Sequence, residues 1–475
     1  MKVLLVKIVR REERRYLSFR YVPVKEGKRY NIEINTIGSF GDGIGRIEDF
    51  AIFVPNTVPG DMVLIEAVEV KKNYARGRLI EVLQPSVDRV ESICHVFPSC
   101  GGCQLMHVRY EAQLRLKEQL VRDAIERISK LEDVIIHPII GMSSPENYRN
   151  KAQFPIRLKN GKVDMGFFVP NTHDLVDIQE CHIQHPLINK VFKDIKDIMN
   201  TMNISVYDEN NHRGLLRHVA IKVSTSREEA MVILVTNGHE FEEGKEIARQ
   251  LMDRIPQVVS VVQNINKART NVIFGPQTFV IRGKSSIEEE IKGLRFRISP
   301  LSFFQVNTLQ VGVLYSKALE YANLTGSEVV IDAYCGIGTI SLFLSKRCKE
   351  VYGIEEVPEA IAMARENADL NQVHNTSFFI GQVEKVLPSL YNKGLRPDVI
   401  VIDPPRKGCT REVIETIATM EPQRIVYISC NPSTLARDIA YFKELNYITE
   451  QIQPVDMFPF TSHVECIALI QREIM

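Results

Sequence analysis

From about residue 300 onward, short apolar runs alternate with stretches of helical periodicity. "VVIDAY", "EVYGIE", "TSFFIGQ", "PDVIVIDPP" and "RIVYIS" are strand-length and rich in branched residues. Strands separated by helices predict a parallel sheet with helices on both faces, a Rossmann-like α/β domain. From about 25 to 85 the rhythm differs. Alternating runs are broken by Gly-Asp-Gly, Pro-Asn and Pro-Gly-Asp turns, which predict a small OB-like β-barrel. Between these regions the pattern is mixed, with strand-like "GLLRHVAIKVS" and "EAMVILVTN" and a helix near 242–253. The expected organisation is multidomain α/β. Residues 22–86 form the barrel, preceded by a basic extension over 1–21. Residues 87–295 form a central mixed α+β domain with a cysteine cluster, and 296–475 form the Rossmann-like domain. An amphipathic helix over about 106–130 is expected to pack on that last domain.

Composition narrows the class. Hydrophobic content of 44% and charged content of 25% are those of a soluble globular protein. No apolar run approaches the ~18–20 residues of a membrane span. The start, "MKVLLVKIVRREERRYLSFR", lacks the apolar length and cleavage site of a signal peptide, so a cytoplasmic location is expected. A net charge of zero argues against a protein that coats nucleic acid, yet Arg10, Arg11, Arg14, Arg15 and Arg20 are a candidate for a local basic surface. Nine cysteines without an export signal argue against structural disulfides, and the clustered ones are read as metal ligands or catalysts.

Four of them are candidates for one site. Cys94, Cys100 and Cys103 lie in "CHVFPSCGGC", and Cys181 lies in "DIQECHIQH". Four thiolates suit tetrahedral zinc or a cubane iron–sulfur cluster, and His95, His107 or His182 could complete a zinc site, so spacing leaves both open. Cys430, in "YISCNPSTLARD", sits where a strand hands over to a helix with Asn431 as N-cap and Pro432 at the first helical position. That helix start is expected to raise its thiolate fraction. "VVIDAYCGIGTISL" supplies Asp332, Gly336 and Gly338 at a strand end, and Glu355 ends the next strand. Asp403 follows a further strand in "IDPPRKG". A dinucleotide fingerprint would place a third glycine or alanine where Ser341 stands, so this crevice fits S-adenosylmethionine better than a nicotinamide cofactor.

"GSFGDGIGRI…FVPNTVPGDMV" resembles the TRAM domain, an RNA-binding OB-like module. "SPLSFFQVN", "DAYCGIGTISL", "IDPPRKG", "YISCNPSTLARD" and "FPFTSHVECIALI" together resemble the RNA uracil-C5 methyltransferases. The cysteine pattern resembles their iron–sulfur 23S rRNA branch. The resemblance implies Gln305, Tyr334, Glu355 and Asp403 at the cofactor, Cys430 as nucleophile and Glu465 as general base. It also implies a [4Fe–4S] cluster on the four clustered cysteines and an unpaired uridine of 23S rRNA as substrate, with no membrane and no obligate protein partner. Arg149 and Lys151, with Phe303 and Phe304, are candidates for gripping RNA, and Cys335, Cys348, Cys409 and Cys466 are read as packing residues. His463 is a helper or a bystander. Two rival readings remain: a tRNA uracil-C5 methyltransferase, and a non-catalytic iron–sulfur assembly factor that binds RNA.

Overall fold

The computed structural model describes residues 22–202 and 204–473, and the basic extension with its five arginines lies outside them. The chain divides into two compact units, one holding the residues up to Ser92 with Gln104–Ala112, the other Ile93–Cys103 and everything from Gln113.

In the first unit five strands close into the expected barrel. They are β1 (Arg29–Ile37), β2 (Gly43–Ile47), β3 (Phe50–Val54), β4 (Met62–Val70) and β5 (Tyr74–Gln84), in the order β1-β2-β3-β5-β4. Alternation sends Ile32, Ile34, Ile52, Val54, Val63 and Ile65 inward. Gly43 lets β2 approach the following turn, because a Cβ there would lie 2.0 Å from Thr57 Oγ1. Asp61 is completely buried, and its carboxylate accepts from Val58 N (2.6 Å), Ser86 N (2.9 Å) and Arg89 Nε (3.0 Å). Burial alone would raise its pKa, but these hydrogen bonds, that of Arg89 foremost, hold it below the usual carboxylate range.

The second unit carries two large sheets. The central sheet is built from β7 (Lys151–Lys159), β8 (Lys162–Phe168), β9 (Leu175–Asp177), β10 (Leu216–Ser224), β11 (Glu229–Thr236), β12 (Val258–Ile265) and β13 (Gln277–Gly283). Its order is β13-β12-β11-β10-β7-β8-β9. A hairpin of β14 (Ile287–Ile291) and β15 (Leu294–Ile298) leads to the C-terminal sheet. That sheet holds β16 (Val329–Ala333), β17 (Glu350–Glu355), β18 (Thr376–Ile380), β19 (Val399–Ile402), β20 (Arg424–Ser429), β21 (Tyr447–Val455) and β22 (Glu465–Arg472), with the short β6 (Ile135–Ile136) at one edge. The order is β18-β17-β16-β19-β20-β22-β21-β6.

Pairings from β18 to β20 are parallel, as the alternating pattern predicts. The pairings of β22 are not. β22 runs antiparallel to both β20 and β21, because residues 456–464 return the chain by a loop with no crossover helix. Helix α1 (Tyr110–Ala124) ends in a wider turn over Ile125–Ser129, and Val121, Ala124 and Ile125 pack in one core with Ile331, Ile354 and Ile402 of the C-terminal sheet.

Candidate active site

The carboxyl end of β16 turns sharply, with Tyr334 (φ 69°), Gly336 (φ 55°) and Gly338 (φ 79°) all left-handed. The two glycines have different reasons. A Cβ on Gly338 would meet Ala364 Cβ at 3.1 Å and Phe378 Cζ at 3.2 Å, whereas Gly336 faces open space with no heavy atom within 4 Å. Asp332 is completely buried below the turn. Its Oδ2 accepts the Ser341 hydroxyl and its Oδ1 has no partner. Ser341, which breaks the dinucleotide fingerprint, is therefore the hydrogen-bond donor to this aspartate. Burial, with the Asp403 charge adding, pushes Asp332 up to about 7. Glu355 at the end of β17 is half-buried and accepts from Gly336 N (3.2 Å) and Val357 N (3.0 Å), tying the two βα turns together. Asp403 follows β19, and burial pushes it up to about 7.

Cys430 follows β20. The antiparallel register pairs Ser429 with Cys466, so the next step along both strands brings Cys430 beside Glu465. Glu465 is only 5% exposed, and Cys430 is half-buried. Burial first, then the Asp403 charge, raises Glu465 to about 8, against the opposing pull of Arg406. Burial, Glu465 and Asp403 push the Cys430 thiol up to about 11, again opposed by Arg406.

The expected helix does begin at Pro432, as α9 (Pro432–Glu444; α2–α8 are the intervening helices). Its start does not favour the thiolate in the free protein, because desolvation and two carboxylates outweigh it. The Asn431 side chain is not aimed at the thiol either. It accepts from Ser433 N (3.1 Å) and donates to Arg406 O (3.2 Å), clamping the loop after β19 onto α9.

The loop 456–464 that delivers Glu465 is pinned from several directions. Lys117 Nζ, completely buried, donates to Asp456 Oδ1 (2.6 Å) and Phe458 O (2.9 Å). Tyr148 Oη donates to Pro459 O (3.1 Å), and Gln113 Oε1 accepts from Phe460 N (2.9 Å). Asn307 Nδ2 donates to Met457 O (3.0 Å). Sequence reasoning missed these supports, since nothing local marks a helix lysine as the partner of an aspartate far along the chain. It also passed over Arg406, although that residue stands in the quoted "IDPPRKG" directly after a stiff double proline. Gln305 lies half-buried ahead of helix Thr308–Ala322, with its carbonyl held by Asn150 Nδ2 (3.0 Å).

Cys94, Cys100, Cys103 and Cys181 are half-buried free thiols of one neighbourhood. Burial raises Cys103, and Cys181, Cys100 and Cys94 add to that rise; Cys181 is pushed up to about 11. Among the described residues no three His, Cys, Asp or Glu side chains meet in a metal-holding arrangement. Arg149 acts electrostatically on both Cys103 and His463, and its Nε donates to Lys151 O (3.3 Å). Lys151 lies over the Phe274 ring at 5.8 Å, and burial followed by Arg149 lowers its pKa. Phe304 is a core residue against Phe296 and does not face an RNA, whereas Phe303 is 67% exposed. Cys335, Cys348, Cys409 and Cys466 are buried, as packing residues should be.

Known proteins show the same combination. The family profile described as tRNA (Uracil-5-)-methyltransferase matches residues 109–473, and the TRAM domain matches 23–80. An uncharacterized RNA methyltransferase of Halalkalibacterium halodurans is 47% identical over 455 residues, 96% of this chain and 99% of that protein. Another, from Clostridium tetani, is 46% identical over 449 residues, 94% of this chain and 97% of its own length. Among solved structures, Pyrococcus abyssi tRNA (uracil-54, C5)-methyltransferase in complex with S-adenosyl-L-homocysteine superposes with a TM-score of 0.74 at 27% identity, covering 93% of this chain and 100% of that one. With a family match over most of its length, the chain belongs to the tRNA (uracil-5-)-methyltransferase family of S-adenosylmethionine-dependent RNA methyltransferases and carries an N-terminal TRAM domain.

Proposed function

We propose that the protein methylates C5 of an unpaired uridine in 23S rRNA through a covalent bond between Cys430 and C6 of the base. The register that sets Cys430 beside the buried Glu465 carries this reading. Uracil C5 is a poor nucleophile, and addition of a thiolate at C6 moves the C5–C6 π pair into an enolate that can attack through C5. S-adenosylmethionine supplies a methyl group on cationic sulfur. The chain does the rest. Cys430 Sγ gives its electron pair to C6, and once C5 bears the methyl group Glu465 takes the C5 proton. The freed pair re-forms C5=C6 and expels Cys430 as thiolate. The cofactor fits the crevice: open space over Gly336, the unpaired Asp332 Oδ1 and the Glu355 carboxylate lie where a doubly wound sheet binds its ligand. Asp332, Tyr334, Gly336, Gly338, Glu355, Asp403 and Gln305 are its proposed holders.

A [4Fe–4S] cluster on Cys94, Cys100, Cys103 and Cys181 belongs to the same proposal. The all-thiol set, whose members sense one another's charge, and the resemblance of the cysteine spacing support it, although among the described residues no three of the thiols meet as ligands. Its part is structural, because the methyl transfer moves no single electron. The likeness to the iron–sulfur branch supports rRNA as substrate. The P. abyssi enzyme favours a second reading, a uridine in tRNA. A cytoplasmic location is consistent with both, and among the described residues no helix is long and apolar enough to cross a membrane.

Two measurements test this. Mapping 5-methyluridine in 23S rRNA and tRNA from a strain lacking the protein should show loss from 23S rRNA; loss from tRNA alone selects the second reading. Glu465→Gln incubated with RNA and methyl-labelled cofactor should accumulate a labelled protein–RNA adduct that resists denaturation and is absent from Cys430→Ala. Methylation by Cys430→Ala would remove the covalent mechanism.

A further inference from the structure

The loop after β19 carries a cation that the mechanism above does not use. Arg406 is tied at both ends. Its carbonyl accepts from Asn431 Nδ2 (3.2 Å) and Thr434 Oγ1 (3.4 Å), at the start of the helix that follows Cys430. Its guanidinium Nη2 donates to His463 Nε2 (3.2 Å), two residues before Glu465. The backbone of Arg406 is thus tied to the start of the helix after Cys430, and its solvent-exposed guanidinium reaches the loop that precedes Glu465. The neighbouring loop is held in the same way, with Arg437 Nη2 on Lys407 O (2.9 Å) and Asp438 accepting from Cys409 N (2.8 Å).

We propose that Arg406 stabilises the Cys430 thiolate and the Glu465 carboxylate, and that His463 is the positioning residue that aims its guanidinium. This rests on Cys430 being the nucleophile and adds the group that lets it ionise. The groups facing Cys430 are Glu465, Asp403 and Arg406, and those facing Glu465 include Asp403 and Arg406. Arg406 is the cation common to both. A guanidinium has no acceptor, so His463 must present an unprotonated Nε2 and carry its proton on Nδ1. Its surroundings enforce that neutral form: burial, then Arg406, Lys117 and Arg149, lower its pKa to about 4, and the Phe458 ring packs edge-on at 6.1 Å. The histidine is a neutral acceptor throughout the working range, a bracket rather than an acid or base.

Peptide-resolved alkylation of Cys430 by iodoacetamide tests this without RNA or cofactor. Measured from pH 7 to 10 on the full-length protein, the rate follows the thiolate fraction. Arg406→Gln should move the profile up by about one pH unit, a roughly tenfold slower reaction on the rising limb. Arg406→Lys should restore most of the rate, and His463→Ala should shift the profile the same way by less. A melting curve on each variant confirms the fold. If the Arg406→Gln profile superimposes on the parent's, or if Lys is as slow as Gln in a folded protein, Arg406 is not the stabilising charge. These outcomes are separate from the adduct experiment, since Cys430 can form the adduct in a protein where Arg406 plays no part.

Discussion

Asp61 in the barrel and Glu465 in the catalytic sheet are both buried carboxylates, and they are treated in opposite ways. Asp61 receives backbone donors from Val58 and Ser86 and the guanidinium of Arg89, and its pKa falls below the ordinary value. Glu465 is placed among apolar strand residues with Asp403 nearby, and its pKa rises to about 8. A carboxylate whose acceptor sites are filled is part of the structure and prefers to stay charged. One left short of donors holds its proton more tightly and is the stronger base once that proton has left. The buried Lys117–Asp456 pair is hydrogen-bonded too, with Lys117 donating to Asp456 and to the Phe458 carbonyl in the loop that leads to Glu465.

Removing charge from Glu465 should have the largest effect. Glu465→Gln keeps the shape but removes the base, so release of methylated RNA should slow by about 10²–10⁴-fold. Single-turnover label transfer should persist while multiple turnover stops. Normal turnover would put Glu465 in the same class as Asp61. Next, Lys117→Met leaves Asp456 buried without its ammonium, and breaking such a pair costs about 3–5 kcal/mol. Denaturant unfolding should show that loss, and the double change Lys117→Met with Asp456→Leu should recover much of it. Asp61→Asn should cost less, about 2–3 kcal/mol, because the amide keeps part of the hydrogen bonding to Val58, Ser86 and Arg89. It should leave methyl-transfer chemistry intact on a short RNA that still binds.

The difference between the regions also explains what the sequence revealed. The barrel strands, β16 through β20 and the Asn431-Pro432 helix start are local signals, since periodicity and turn chemistry are written into neighbouring residues. The reversed direction of β22 is not local. It depends on which strand its edge meets, and it is what brings Glu465 to Cys430. The family motifs named both residues while saying nothing of why they meet. The thiol's elevated pKa was equally hidden, because a helix start can be read from Asn-Pro but two converging carboxylates cannot.

The smallest expected effect is what one carboxylate contributes to a pH slope, and there the two environments oppose each other. Asp61 has a lowered folded pKa, so its stabilisation is present above the unfolded value of ~3.9 and is lost as pH falls through the folded value. Glu465 has a raised one. Between ~4.3 and about 8 the folded protein holds a proton that the unfolded chain releases, so stability declines as pH rises across that window. Asp332 and Asp403, both near 7, act in the same direction from ~3.9 upward. Each group contributes at most ~1.4 kcal/mol per pH unit. The melting temperature of the cofactor-free protein should therefore fall from pH 5.5 to 8.5, and Glu465→Gln should flatten the upper part of that curve, whereas Asp61→Asn should change only its acid limb. A parent curve that is level from pH 5.5 to 8.5 would mean that the crevice carboxylates are already charged when folded. Glu465 would then be held as Asp61 is, and the contrast between the two regions would be lost.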